Sequence, residues 1–523
     1  MDTTTSDIAR HYDEVPYASK PFPQSQPQRL GALARLFGLT PPDVSRARVL
    51  ELGCAAGGNL IPLAAQYPDA DFLGLDLSPL QIASGQARIA RMSLKNIRLV
   101  TQSIADVTRG LGQFDYIICH GVYSWVPAAV RDAILRVCGE NLSENGVAYL
   151  SYNVYPGWKL RGVLRDVMQF HGATAITSAE QVTLGRDFLN QLGTISNAGT
   201  PYGQMLRHEV RQMAAVEDYY IAHEYFEANN EPCYVSDLFK RLDVFNLAFL
   251  TEADLHLTIA ENFGAETGAL LRSLSGNGLE RMEQYIDFLT GRTFRQSILV
   301  RKDQAHRIER TLSPDRLQTL NISTRVASEP ETDAEGRFVF CDVAGRTLTT
   351  QSSAVREAVS HLARIAPATA TTEVLVQHAA SLGHDTSEAV ADVARAIFNM
   401  VLAGIADIST EPVLASSKVS DKPRAFTLAR FDARDGSGWT TNMRHETVPL
   451  SIVQRAVLPL LDGTHDHSAL TSAVRDLVAS GEIVFNRNGE KLVEPDDITA
   501  AVEEHIALAL QSFHAAALLA PAA

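Results

Sequence analysis

The stretch VLELGCAAGGNLIPLA, residues 49–64, decides the reading of this chain. It opens as a short apolar run ending in Glu51-Leu52-Gly53, turns through Cys54-Ala55-Ala56-Gly57-Gly58, and enters a helical pattern at Asn59. Glycines permit positive φ and close backbone approach, and the first turn of a helix offers free N–H groups. A small ligand can therefore lie against bare backbone at this point.

Working outward, the region from Arg48 to Asn153 alternates apolar strand, turn and amphipathic helix, the signature of a parallel sheet covered by helices. Strands are predicted at RVLELG (48–53), DFLGLD (71–76), NIRLV (96–100), FDYIICH (114–120) and GVAYLSYNV (146–154), with helices near 57–67, 79–92 and 127–140. Beyond Pro156 the pattern is helical to about residue 230, and the segments 245–251 and 294–301 are expected to close the same sheet, leaving the helices between as an inserted cap. Ser/Thr/Pro-rich stretches at 321–335 and 408–423 separate two further blocks. One carries RFVFCDVAGRTLTT, the other TVPLSIVQRAVLPLL, and both suggest winged-helix-like modules. The expected fold is thus α/β, a Rossmann-like sheet with a helical insertion, followed by winged-helix-like α+β modules. The expected divisions are 1–155, 156–303, 304–415 and 416–523. A chain ending near Lys302 is expected to keep its ligand site, because every residue assigned to it lies at or before Asn153.

A dinucleotide loop reads G-x-G-x-x-G and carries a pyrophosphate. Here the loop is G-x-x-x-G-G, with Glu51 two positions before the first glycine. An acidic group there suits a cationic ligand, and S-adenosylmethionine carries an ammonium and a sulfonium. The second strand ends at Asp76, whose carboxylate can accept both ribose hydroxyls, with Leu77 beside it to pack on adenine. Each feature has a plainer explanation: the glycines as a tight turn, and DLSP as ordinary helix-start chemistry. Their order and spacing within one βαβ unit favour a cofactor site. After the third strand an acidic residue is expected against the adenine amino group, but the chain reads LVTQSIADV, so Ser103-Ile104 fills that place and Asp106 falls slightly late. The candidate cofactor residues are Tyr12, Tyr17, Glu51, Gly53, Cys54, Ala55, Gly57, Asn59, Asp76, Leu77, Gln81, Ser103, Ile104 and His120.

Ligands sit at the carboxyl ends of strands in such sheets. Tyr123 and Trp125 after the fourth strand, and Tyr152 and Tyr155 after the fifth, are candidate aromatic walls for a methyl acceptor, with His120 and Asn153 as polar or proton-transfer groups. Tyr123, Trp125, His120, Asn153 and Tyr155 form the candidate catalytic set. Core packing is an equal alternative for any one of the aromatics, and for His120 a structural role is favoured over catalysis. His208-Glu209 and His223-Glu224 lack a second histidine at helical spacing, so no metal is assigned.

The 523 residues favour several domains. A net charge of -15 argues against broad capture of nucleic acid. Cys54, Cys119, Cys138, Cys233 and Cys341 form no CxxC pair, which suggests free thiols in a reducing, cytoplasmic compartment. The N-terminus lacks signal-peptide pattern, and no apolar run reaches membrane-spanning length. Ile506 to Ala523 is expected to form a docked terminal helix.

Beyond these features the chain resembles bacterial class I methyltransferases with a methyltransferase regulatory domain, a family that includes rickettsial protein lysine methyltransferases acting on outer-membrane proteins. The likeness rests on YDEVPYASKPFPQSQP (12–27), LFGLTPP (36–42), RVLELGCAAGGNLIPLA (48–64), FLGLDLSPLQI (72–82), FDYIICHGVYSWVP (114–127), YLSYNVYPGWK (149–159), TNMRHETVPL and LPLLDGTHD. Ser103 departs from the family pattern. The resemblance implies S-adenosylmethionine as cofactor, S-adenosylhomocysteine as product, and a C-terminal region that helps to present a protein substrate. Lysine is a known acceptor in the family. A small-molecule or glycan acceptor, or a regulatory protein with an inactive cofactor domain, stay as alternatives.

Overall fold

Seven strands make the central sheet: β1 (Arg48–Leu52), β2 (Asp71–Asp76), β3 (Ile97–Thr101), β4 (Phe114–Cys119), β5 (Leu142–Asn153), β6 (Leu247–Glu252) and β7 (Phe294–Arg301). Their order is β3-β2-β1-β4-β5-β7-β6, and β7 alone runs antiparallel to its neighbours. In the computed structural model, residues 19–521 are described, apart from 215, 228, 277, 488 and 489. Tyr12 and Tyr17 lie outside the described residues.

Helices cover both faces of the sheet, so β1 is buried at every position after Arg48, which is why its sequence is apolar on both faces apart from Glu51, which faces the cavity. The direction of strand succession reverses between β1 and β4, which opens a crevice at their carboxyl ends. The helix Pro79–Met92 starts as the DLSP chemistry requires: Pro79 opens it and the Ser78 hydroxyl accepts from Gln81 N–H at 3.1 Å. Three boundaries differ from expectation. The first helix begins at Leu60, because Gly57 turns with φ +75°. β6 begins at Leu247, after Asn246 reverses the chain with φ +56°. β5 begins at Leu142, which pairs with Phe114 ahead of a register shift.

Between β5 and β6 the helices Gly157–Gly172, Ser178–Ile195, Pro201–Met213 and Asp218–Phe226 pack around a small core of their own that includes Leu164, Met168, Leu189, Leu206 and Ile221. The segment that follows ties this cap to the sheet. Asn153 Nδ2 donates to Asn230 Oδ1 at 3.2 Å, and Arg131 pairs with Glu231 at 2.7 Å. At the sheet edge the fully buried Arg295 donates to Glu252, Glu283 and Asp287 at 2.8–3.0 Å, which fixes the helix Leu279–Thr290 against β6 and β7.

The next unit sets Asn321–Thr324 between Ala370–Thr371 and Ala406–Ser409, flanked by the helices Ser353–Arg364, Thr372–Ser381 and Ser387–Leu402. Its apolar side chains join one continuous core with the helix Pro27–Leu36 and one face of the main sheet. The last unit has its own core, and its long helix Pro495–Ala515 docks through Val502, Ile506 and Phe513 before Leu519–Ala520 pairs with Arg424–Ala425. The first C-terminal unit shares the core of the sheet domain, and a chain ending near Lys302 would lack that part of it. Among the described residues no helix is long and apolar enough to cross a membrane, and no group of three His, Cys, Asp or Glu side chains is placed to hold a metal ion.

Candidate active site

The glycine loop is held by β2. Gly53 and Cys54 N–H both donate to Leu75 O, at 2.8 and 3.1 Å, and Ala55 N–H donates to Asp76 Oδ2 at 2.8 Å. Gly53 has φ +78°, and a Cβ there would stand 2.4 Å from Val122 Cγ2, so the turn demands glycine. Gly58 is required for a different reason: its Cβ would meet Ser19 O at 2.1 Å, where the N-terminal segment crosses the loop.

Above the loop lies a cavity of about 590 Å³. Of the candidate cofactor residues, Glu51, Gly53, Cys54, Ala55, Asn59, Asp76, Leu77, Gln81, Ser103, Ile104 and His120 line it. Gly57 does not; its Cα faces Leu99 and Ile61. Asp76 already accepts the Ala55 N–H on one oxygen and the Ser78 N–H, at 2.9 Å, on the other, so it braces the loop as well as facing the cavity. The Ser103 hydroxyl accepts Ala105 N–H at 3.2 Å and shapes the turn beside Ile104.

Glu51 is the most unusual group. It is 3% exposed, and Asn59 Nδ2 donates to its Oε1 at 2.8 Å, while Oε2 has no hydrogen-bond partner among the described residues. Burial pushes its carboxyl up to about 8, against the pull of Asn59 and with a push from Asp76. A buried acceptor on the wall of a cavity needs a donor. The ammonium of S-adenosylmethionine is such a donor, so the residues present fit that cofactor, and Asp76, Leu77 and Ile104 stand on the same cavity wall.

The second half of the cavity lies over β4, β5 and β7. His120, Trp125, Asn153, Thr293 and Phe294 line it. His120 stacks on Phe22 with centroids 3.8 Å apart, and its Nδ1 lies 2.9 Å from the Tyr149 hydroxyl. Burial pushes the imidazole down to about 3, so it is neutral. Trp125 sits edge-on to Trp158 at 6.1 Å. Tyr123, Tyr152 and Tyr155 are not among the residues that line the cavity: Tyr123 is 1% exposed and packed against Tyr152 at 6.0 Å, and Tyr155 packs on Tyr234 and Lys159. Tyr152 is also a core residue, its hydroxyl 2.9 Å from Ser297 Oγ. In the 3-10 turn Tyr123–Trp125 successive side chains step about 120° around the axis, so the two rings leave in different directions, and only Trp125 lines the cavity.

Sequence reasoning missed two groups of lining residues. Ser19, Lys20, Phe22 and Gln24 come from the N-terminal segment, whose SKPFPQS text carried the signal but not the geometry. Arg161, Tyr220, His223, Glu224 and Glu227 come from the cap helices, where only a metal role for His223-Glu224 had been weighed. A third contribution is more distant. His445, from the last unit, is buried and its Nε2 lies 2.7 Å from Asn59 Oδ1.

Comparison with known proteins adds to this geometry. A methyltransferase domain model matches residues 50–148, a predicted methyltransferase regulatory domain matches 217–301, and the PKMT C-terminal winged helix domain matches 421–518. Protein RP789 of Rickettsia prowazekii is 32% identical over 98% of this chain and 95% of its own. RP028 of the same organism is 40% identical over 43% of this chain and 90% of its own. The structure of PKMT2 from Rickettsia typhi in complex with AdoHcy matches with a TM-score of 0.87 at 27% identity, covering 96% of this chain and 100% of that one.

Proposed function

The chain belongs to the family of methyltransferases that join a methyltransferase domain, a regulatory domain and a PKMT-type winged helix, and on that premise we propose that it methylates lysine side chains of a protein. The observation that carries the reading is the single cavity that runs from the glycine loop, where Glu51 awaits a cation, to an end walled by Trp125 and Phe294 and roofed by the cap. S-adenosylmethionine, bound at the loop end, supplies an electrophilic methyl group.

The protein's own residues supply position and solvent exclusion. Glu51 meets the ammonium of the cofactor, Asp76 the ribose, and the Leu77 and Ile104 side chains the base. Holding donor and acceptor in line replaces an encounter by a pre-arranged contact, which is a large part of the acceleration for such displacements. The acceptor comes through the end bounded by Trp125, Asn153 and Phe294. A lysine starts as an ammonium near pKa 10.4, at roughly the value of free side chains, and partial desolvation between aromatic walls favours its neutral, nucleophilic form. Methylated ammonium is also held by aromatic faces through cation–π attraction. A winged-helix unit with no chemistry of its own suits presentation of a macromolecular substrate.

The test is incubation of the full chain with a cell extract and isotopically labelled S-adenosylmethionine, followed by mass spectrometry. Label on protein lysine supports the reading. Label confined to small metabolites, or no transfer at all, would replace it.

A further inference from the structure

The cap places a carboxylate in the cavity that neither the cofactor loop nor the strand ends account for. Glu224 lies on the helix Asp218–Phe226 and lines the same cavity as Glu51, His120 and Trp125. Its side chain is 14% exposed, with the Arg161 guanidinium at 3.7 Å. The glycine loop and Asp76 occupy the β1–β2 side, whereas the chain leaving the Glu224 helix is pinned over the end of β5 through Asn230 and Asn153. The helix that carries Glu224 thus meets the cavity from the cap, whose following segment is tied to the β5 side.

We propose that Glu224 is the catalytic carboxylate that receives the proton of the acceptor lysine. This inference rests on the lysine reading given above. The lysine arrives as R–NH3+ and gives one proton to the Glu224 carboxylate, leaving R–NH2 and a neutral carboxylic acid. The amine lone pair then forms the N–C bond as the C–S bond of the methyl donor breaks, its electron pair passing to sulfur. The products are R–NH2–CH3+ and S-adenosylhomocysteine, and Glu224 returns its proton to solvent.

Other groups in the cavity suit this step less well. Glu51 is committed to Asn59 at the loop end, and Glu227 lies 3.1 Å from His223 Nδ1. His120 is too weak a base, being pushed down to about 3. Burial pushes Glu224 up to about 7, while Arg161, Arg165 and His223 pull the other way. A base is most effective when its pKa lies near the working pH. The charged and titratable groups around it are Arg161 and Arg165 from the helix Gly157–Gly172, Tyr220, His223 and Tyr225 from its own helix, Glu227 just past that helix's end, and Lys20 on the cavity wall; Arg186 of the neighbouring helix pairs with Asp218 at 2.6 Å.

The experiment uses the full chain at saturating labelled S-adenosylmethionine, with a dilute heterologous bacterial protein extract as acceptor. Initial label incorporation into lysine, which tracks kcat/KM, is followed from about pH 5.5 to about pH 9, spanning the free values of carboxyl and amine groups. The wild type should show an ascending limb near 7. Glu224→Gln should lose about a hundredfold or more and lose that limb, the range expected for a general base. Its affinity for S-adenosylhomocysteine, measured by calorimetry, should stay within about twofold, and Glu224→Asp should restore part of the rate and the limb. If wild type labels lysine and Glu224→Gln keeps rate and limb, the inference is overturned while the lysine reading stands. Loss of cofactor affinity together with rate would make Glu224 structural and overturn it as well. Should wild type label no lysine, the lysine reading fails and the inference falls with it.

Discussion

The imidazole of His445 in the last unit lies 2.7 Å from the side-chain oxygen of Asn59, and the other end of that amide donates to Glu51 at 2.8 Å. A residue 386 positions away in sequence thus helps to orient the buried Glu51 carboxylate on the cavity wall. His445 stands at φ +62°, in the tight turn between two short strands, and is 1% exposed. Removing it takes away one buried hydrogen bond, a loss of about 0.5–1.5 kcal/mol. His445→Ala should accordingly weaken S-adenosylhomocysteine binding by roughly three- to tenfold, read by calorimetry beside a melting curve. His445→Gln should recover part of the affinity. Wild-type affinity in His445→Ala would remove any coupling between the winged-helix unit and the loop.

Glu51 sets a pH dependence. Its carboxyl is pushed up to about 8 in the fold against an ordinary value of 4.5, mainly by burial. A raised acid favours the protonated folded state, so its contribution to stability is complete below about 4.5 and is lost as pH rises to about 8. A bound ammonium prefers the ionised form. S-adenosylhomocysteine should then bind more tightly as pH rises from about 6 to about 8 and release a proton on binding, which calorimetry in buffers of different ionisation heat will detect. Glu51→Gln should flatten both trends. His120 and His445, both held near 3 by burial, add no limb in this window.

Asp76→Ala removes the brace on Ala55 N–H together with the carboxylate proposed to meet the ribose. Charge-assisted bonds contribute about 1.5–3 kcal/mol, so affinity should fall roughly ten- to a hundredfold. Asp76→Asn, which keeps an acceptor for the backbone, should lose less. Equal affinity in all three proteins would place the nucleoside elsewhere.

Tyr123 and Trp125 are neighbours with opposite fates. Tyr123→Ala should destabilise the fold by about 3–5 kcal/mol, as for other buried aromatics, and lower Tm. Trp125→Ala should leave the melt within a few degrees of wild type but lower turnover far more than cofactor affinity. A turnover defect confined to Tyr123→Ala would reverse the assignment.

A chain ending at Lys302 exposes the core it shares with the next unit, including the strand edge where Thr410 N–H donates to Gln28 O at 3.0 Å. It is expected to aggregate on size-exclusion chromatography and bind a hydrophobic dye, since large exposed apolar patches behave in this way. A monodisperse truncation with a cooperative melt and intact S-adenosylhomocysteine binding would contradict the shared-core account.

By itself, the sequence determined what local chemistry and periodicity can encode. The runs at 49–52 and 72–75 specified doubly covered parallel strands, Gly53 permitted the turn with positive φ that follows β1, and DLSP carried the start of a helix. Glu51, Asp76, Leu77 and Ile104 could be read as neighbours at the strand ends, where they line one cavity, because they sit at fixed offsets from those strands. Tertiary structure alone decided the rest. Which of Tyr123 and Trp125 faces the cavity depends on the direction of one 3-10 turn, and strand spacing does not carry that direction. Arg161 and Glu224 reach the site only because an inserted cap folds back over β5, and His445 only because the last unit docks on the glycine loop. Such contacts arise when distant elements bury apolar surface together, and the polar groups trapped between them must then find each other.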